Sequence, residues 1–221
     1  MIENPEGPSA GSQIIKKFTE PAALIKESFV EMLHRRQTAL DEAFASGVNR
    51  LRSDNPERLG AHGSRHTGPP QDELTTRYVR ERAGRVEEIK ISTIVPKGEE
   101  ITADLSRFRV VIVRPEVDDV RPRHNEFETF DFSRDNHGRV RIGYTTSDVA
   151  LAQNLRDLQD PQRSNTDNLL DRGWGLRFST KNALRMKKLF DEDLPHARRE
   201  TYRESLDRKY PQRPDGRGAG N

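Results

Sequence analysis

The sequence has no cysteine, few aromatic residues and no long apolar run. The lack of cysteine excludes disulfides, zinc sites with cysteine ligands and a thiol nucleophile. The longest aliphatic run is Val110–Val113, far short of the ~20 residues of a membrane helix. Met1–Pro8 lacks the features of a secretory signal peptide. These absences predict a cytoplasmic protein that uses no membrane and no cofactor, with export lacking a cleaved signal peptide left open.

Apolar residues are also scarce, at 32% of the 221 residues, whereas 33% are charged. Globular domains usually contain about 25% charged residues. We interpret the excess as a normal core diluted by polar segments, among them a flexible arm at 1–18 and a disordered basic tail at 211–221. The net charge is only +2, but 13 Lys and Arg face 7 Asp and Glu from Arg172 onward. This C-terminal part would attract phosphate or another acidic surface.

The clearest organised segment is 139–158, in which a strand leads into the start of a helix at Ser147. Val140, Ile142 and Tyr144 alternate with polar residues and so share one face of that strand. The same period of two predicts strands at 89–95, 107–113, 127–132 and 174–180. The loop Ser133–Gly138 is rich in turn residues and predicts a hairpin.

Helices are predicted on both sides of this strand-rich region. The first is a long amphipathic helix at 19–52, with Thr19 as N-cap and Pro21 in its first turn. A short helix is predicted at 72–84, where Leu74 and Tyr78 form an i,i+4 pair. Further helices are predicted at 181–190 and 193–210.

The predicted organisation is a linker or loop at 53–71 and an α+β domain at 72–210, with a mostly antiparallel sheet of about four to six strands. The long helix at 19–52 needs an apolar surface to cover its stripe. We expect that surface to be the protein's own sheet, with a homodimer through 19–52 as the alternative. In the dimer case the protein would be a scaffold or assembly subunit.

The first candidate site is a basic sheet face, formed by arginines that alternate with core residues and therefore point away from the core. Basic residues near the C-terminus extend it. Arginine suits phosphate because its planar fork donates two parallel hydrogen bonds. The leading hypothesis is a non-enzymatic interaction protein that binds an acidic partner, with nucleic acid first among the candidates, through this face and the C-terminal helices. The residues are Arg107, Arg109, Arg139, Arg141, Arg177, Lys187, Lys188, Arg198 and Arg199.

The alternative hypothesis is an effector or toxin enzyme that acts in a host or target cell. In a ribonuclease-like version, His137 and Glu128 would act as acid and base, beside Arg141 and Tyr144. In a second version, Arg141 on one strand and residues 178–180 on a later strand resemble two parts of the site of ADP-ribosylating toxins. That family also needs a catalytic glutamate on a further strand, and the glutamates that follow lie in predicted helix. These glutamates are Glu192, Glu200 and Glu204.

Three segments carry residues typical of metal sites but fit ordinary loops better. The segment 131–138 superficially suggests a calcium loop, but its glycine is misplaced and Ile142 stands where a glutamate would be needed. The acidic residues and histidines of 124–137 fit a solvated hairpin. His62 and His66 have i,i+4 spacing but lie in a Gly/Pro-rich loop that does not fix their rings. The sequence therefore predicts no metal site.

Overall fold

A computed structural model describes residues 28–60, 70–82, 84–115, 126–149 and 169–210. Within these residues there are three α-helices with stated bounds: α1 (Phe29–Ser53), α2 (Leu169–Lys188) and α3 (Tyr202–Lys209). Seven strands form one sheet: β1 (Glu57–Arg58), β2 (Gln71–Arg82), β3 (Arg85–Pro96), β4 (Arg107–Arg114), β5 (Glu126–Arg134), β6 (Val140–Thr146) and β7 (Arg198–Glu200). Between α2 and β7 lie a π-helical turn, Leu189–Asp193, and a 3-10 turn, Leu194–His196.

The sheet is an antiparallel meander in which β2 to β6 pair in chain order. Two short strands share the outer edge of β2: β1 pairs Arg58 with Leu74, and β7 pairs Arg198 with Val79. The β5–β6 hairpin turns through Asp135 and Gly138, whose φ of 75° is readily adopted by glycine. The α+β class and antiparallel pairing expected from the sequence are confirmed.

Helix α1 begins at a capping box and buries one stripe. The Glu31 backbone N–H donates to Ser28 Oγ (3.2 Å), and the Ser28 N–H donates to Glu31 Oε2 (2.8 Å). The buried residues recur three and four positions apart and include Leu40 and Phe44. Gly47 lies directly against the Phe108 ring. The helix thus packs on the protein's own sheet over 39–51, as expected. Its predicted start at Thr19 is wrong, because the backbone of Ser28 is extended and the helix begins at Phe29. Thr19 and Pro21 themselves lie outside the described residues.

Alternate residues of the central strands form a buried core face. On β3 these are the odd-numbered positions from Glu87 to Val95. Helices α1 and α2 pack on each other, and both contribute to the core above this face. Phe108 stacks on Phe132 with ring centroids 4.8 Å apart, and Phe44 lies 5.2 Å from Phe108. The core is therefore a helical layer on one face of the sheet.

The opposite face is only partly covered. Helix α3 is held there because Arg208 donates to Glu88 of β3 (2.7 Å) and to Glu200 of β7 (2.8 Å). Over β4, β5 and β6 the outward residues are exposed or half-buried. We call this surface the open face. It consists of Arg107, Arg109, Val111, Val113, Phe127, Thr129, Asp131, Ser133, Arg141, Gly143 and Thr145.

The helix predicted at 72–84 is wrong, because residues 72–82 belong to strand β2. An i,i+4 pair such as Leu74 and Tyr78 also lies on one face of a strand, since four is a multiple of two. Both side chains are buried, and β2 pairs with β3 along its whole length. The long hairpin therefore overrides the helical interpretation.

The strand predicted at 174–180 is also wrong, because these residues belong to α2, which absorbs most of the helix predicted at 181–190. The Thr180 hydroxyl donates to the Leu176 carbonyl at 2.7 Å, a bond of helical spacing. Ser179 accepts a hydrogen bond from Arg36 of α1 at 3.1 Å. An alternation over a few residues was too short to distinguish a strand from a helix that packs on another helix.

The continuous helix predicted at 193–210 is wrong at its beginning. Pro195 lies in the 3-10 turn, and the chain then pairs with β2 as β7 before α3 begins. Thr201 caps α3 through a capping box with Glu204. The predicted linker at 53–71 likewise contains a strand, β1. The predicted arm, basic tail and helix beyond Val149 lie outside the described residues.

Candidate functional site

The open face, together with the β5–β6 turn beside it, brings together four of the five arginines predicted to form a basic sheet face. Arg107 and Arg141 pair in register with Ser133 from its two sides. Arg109 lies one row further along, opposite Asp131, and Arg139 directly precedes β6. The side chains of Arg109, Arg139 and Arg141 are 59–65% exposed.

Two aspartates occupy part of this arginine cluster. Arg109 Nε donates to Asp131 Oδ1 at 2.5 Å. Asp135 accepts from Arg139 Nε at 3.0 Å and from Arg141 Nη2 at 3.2 Å. The Arg107 guanidinium makes no hydrogen bond or ion pair with another described residue, although its carbonyl accepts from the Thr93 hydroxyl at 2.7 Å. The cluster therefore combines four guanidinium groups with two carboxylates, a local excess of positive charge.

Asp135 also shapes the turn that presents two of these arginines. Partial burial disfavours its charged form, but backbone N–H groups of Arg139 and His137, together with the Arg139 side chain, outweigh this and lower its pKa to about 2. Asp135 thus remains ionised at neutral pH.

Arg177 does not belong to the open face. It lies on α2, half-buried in the helical layer, because the segment assigned to a strand is a helix. The prediction that Arg177 extends the strand arginines is therefore wrong.

The four C-terminal basic residues are distributed over other surfaces. At the end of α2, Lys187 bonds to Asp191 (2.9 Å) and Lys188 lies 3.6 Å from Glu192. Arg198 on β7 lies 3.4 Å from Glu200, and Arg199 donates to the Asp54 carbonyl. The structure does not bring these residues to the arginine cluster.

On the opposite side of the sheet, Glu128 is the centre of a partly buried ionic group. Its two carboxylate oxygens accept from Arg185 of α2 at 2.7 and 2.6 Å. Arg114 Nη2 and the Tyr144 hydroxyl also donate to it, at 2.9 and 3.0 Å. Burial disfavours the charged form, but these donors, Arg185 foremost, lower the Glu128 pKa to about 2.

The same group extends across the sheet as a chain of ion pairs. Arg114 Nε donates to Glu87 at 2.8 Å, and Glu87 accepts from Arg80 of β2 at 2.8 Å. Arg80 also donates to Asp193 in the π-helical turn. Each charge is matched by an opposite one, so this ionic chain fastens the helical layer to the sheet.

The four residues proposed for an enzyme do not form one site. Glu128 and Tyr144 are in contact, and burial together with the Glu128 charge raises the Tyr144 pKa to about 12. Arg141 points from the opposite face of the sheet. His137 is exposed in the β5–β6 turn, where its backbone N–H donates to Asp135 (2.9 Å). The Glu128 oxygens are saturated by donors, and a tyrosine with so high a pKa is a poor base at neutral pH.

The resemblance to ADP-ribosylating toxins loses its second strand, because residues 178–180 are helical. Glu192 lies in the π-helical turn and Glu204 in α3. Glu200 lies in β7 and not in the predicted helix, but it is bound by Arg208 at 2.8 and 2.9 Å.

The metal patterns give no site among the described residues, where no three His, Asp or Glu side chains are grouped closely enough to hold an ion. Asp131 and Asp135 are instead engaged by arginines. His62, His66 and His124 lie outside the described residues. In the described part of the chain no helix is both long and apolar enough to cross a membrane.

Sequence reasoning missed the apolar end of the open face. Phe127 is 41% exposed, and Val113 pairs with it in register. The signal was present, because Phe127 is out of phase with the buried pair Phe130 and Phe132. No family model, curated protein or solved structure matches this chain.

Proposed function

We propose that the protein is a non-enzymatic binding protein whose open face binds an acidic polymer, with nucleic acid as the leading candidate. The observation that carries this proposal is the gathering of Arg107, Arg109, Arg139 and Arg141 at one end of an exposed sheet surface. Exposed guanidinium groups are accessible to a ligand and can each donate two parallel hydrogen bonds to phosphate oxygens.

The two aspartates limit the strength of this surface but do not cancel it. Exposed ion pairs contribute only about 0–1 kcal/mol, so a phosphate can replace Asp131, whose side chain is 46% exposed, as the partner of Arg109 at small cost. Phosphate contacts supply most of sequence-independent nucleic-acid binding, and that binding weakens with salt. We therefore expect moderate affinity with a marked salt dependence.

The test is a salt titration of binding to single-stranded and duplex oligonucleotides. The variant Arg107→Gln/Arg109→Gln/Arg141→Gln removes three charges from the open face. A matched control, Arg52→Gln/Lys187→Gln/Lys188→Gln, removes three charges from α1 and α2. If each arginine contacts one phosphate, the first variant should reduce the slope of log K against log salt by about 2 on single strands.

The control variant should keep nearly all of that slope, and circular dichroism should show that both variants are folded. Equal losses in the two variants would mean that overall charge, and not the open face, drives binding. No binding by the intact protein at low salt would reject the proposal.

A further inference from the structure

The open face is chemically graded along its strands. At one end, Arg107 and Arg141 flank Ser133. At the other end lies the exposed ring of Phe127, paired with Val113. Ser133 follows Phe127 by six positions along β5, a distance of about 20 Å at the usual rise.

Small side chains occupy the middle of this surface. Thr129 pairs with Val111 on one side and Thr145 on the other. Gly143, in the next row, has no side chain to rise above the sheet, and a Cβ there would lie 3.5 Å from Asp131 Cβ. A polymer lying along the strands would therefore reach both ends without meeting a bulky side chain on β6.

We infer that the ligand of the open face is single-stranded nucleic acid, with phosphates at the arginine end and a base stacked on Phe127. This inference rests on the proposed function. Base stacking on an aromatic ring requires the face of a base to be free, whereas in a duplex the base faces are hidden in the helical stack. RNA and DNA strands share this chemistry.

The position of Phe127 supports this assignment over a purely electrostatic surface. A ring that served the core would lie with Phe130 and Phe132, which are 0% and 1% exposed. Phe127 projects from the other face of β5, beside the exposed Thr145 row. An acidic protein or a heparin-like polymer would use the arginines but would have no base for this ring.

The experiment compares binding of intact and abasic single strands of about 12 nucleotides, in RNA and DNA form, with a duplex of equal length and with heparin. The variants are Phe127→Ala, the conservative Phe127→Tyr and the control Leu184→Ala. Leu184 is 45% exposed on α2, so its loss matches the loss of exposed apolar area on another surface. Thermal unfolding should show that all variants are folded.

We expect the intact strand to bind more tightly than the abasic strand. Phe127→Ala should weaken intact-strand binding roughly 5- to 150-fold, the range found for loss of one base–aromatic stack. The same variant should leave the affinities for heparin and for the abasic strand unchanged. Its affinities for the intact and the abasic strand should therefore become nearly equal. Phe127→Tyr, which keeps an aromatic ring, should retain the difference in affinity between the intact and the abasic strand. Leu184→Ala should leave all of these affinities unchanged.

Two outcomes would overturn the inference in different ways. If duplex, heparin and abasic strand bind as tightly as the intact strand, and Phe127→Ala has no effect, the single-strand assignment fails while the basic surface stands. If none of these polyanions binds, the proposed function fails with it. If the intact RNA and DNA strands bind with different affinities, the tighter one identifies the preferred nucleic acid.

Discussion

Glu128 carries a negative charge beneath the helical layer because three donors surround it. Its pKa is lowered from 4.5 to about 2, so the folded state binds its proton more weakly than the unfolded state does. The stabilisation is complete above the unfolded pKa and is lost as the pH falls toward the folded pKa. Acid should therefore loosen the contact between β5 and α2.

The first prediction concerns Glu128→Gln. From about pH 4.5 to about pH 2, the wild-type free energy of unfolding should lose on the order of 3 kcal/mol through this residue. Glu128→Gln should lack that share of the decline and should be less stable at neutral pH, because Arg185 and Arg114 lose their charged partner. Urea unfolding across this pH range would measure both effects.

The control for that experiment is Glu126→Gln, which removes an exposed carboxylate of the same strand. Its pH profile should parallel that of the wild type. A Glu128→Gln profile as steep as the wild-type one would show that the donors around Glu128 do not set the acid sensitivity.

The second prediction concerns Asp131, which competes with a phosphate for Arg109. Asp131→Asn should tighten binding of a single-stranded oligonucleotide about two- to fivefold, since an exposed ion pair contributes at most about 1 kcal/mol. Asp41→Asn, the same change of charge at an exposed position of α1, provides the control. Weaker binding by Asp131→Asn would mean that the aspartate orients Arg109 for its ligand.

At the scale of elements, the contact of α1 with the sheet depends on a missing side chain. A Cβ at Gly47 would lie 2.3 Å from Phe108 Cζ and 2.8 Å from Phe108 Cε2. These distances are shorter than any stable contact, so either the ring or the helix would have to move. Because the Phe108 ring packs against Phe44 and Phe132, moving it would disturb these two rings in the centre of the core.

The third prediction is that Gly47→Ala destabilises the protein by about 1–3 kcal/mol, although alanine favours helix over glycine. Gly175→Ala in α2 is the matched control, because a Cβ there meets nothing within 4 Å. It should be neutral or stabilising by up to about 1 kcal/mol. Equal effects in thermal unfolding would refute the packing argument.

An element could be predicted from the sequence where the spacing of its apolar residues fits only one kind of secondary structure. It could not be predicted where the spacing fits both a strand and a helix and pairing with a distant segment determines the outcome. β3, β4 and β6 follow from the alternation of apolar and polar residues, and β5 follows from a less clean alternation that still buries Phe130 and Phe132. β2 was missed because its spacing fits both periods, and its pairing with β3 decides the outcome.

The same reasoning explains what was missed at the site. The outward direction of the strand arginines follows from alternation, and Arg107, Arg109 and Arg141 share one face of the sheet, whereas their role in binding stays a prediction. The ionic partners of Glu128 come from β4, β6 and α2. Such a set depends on strand order and helix placement, which local sequence does not encode.

At the scale of the whole molecule, the ionic chain joins the sheet to its helical layer at one end of the core. Glu87 is 3% exposed and bridges Arg80 and Arg114. Loss of its charge would leave two guanidinium groups short of a partner in a poorly hydrated place.

The fourth prediction is that Glu87→Gln lowers the free energy of unfolding by about 3 kcal/mol. Glu126→Gln, which breaks only a 4.0 Å contact between the exposed side chains of Arg85 and Glu126, should cost less than about 0.5 kcal/mol. Urea unfolding at neutral pH would measure both. A Glu87→Gln variant as stable as the wild type would show that the ionic chain is dispensable.

The shared edge of β2 has a consequence for the order of events in folding. The hairpins from β2 to β6 join strands that are neighbours in the chain, whereas β7 must return from the far end of the sequence to reach Tyr78. Contacts between residues far apart in the sequence form slowly. The strand β7 is also only three residues long, so few hydrogen bonds hold it to β2. We expect β7 and the following helix α3 to be the last elements to dock on the folded meander and the first to detach from it on unfolding.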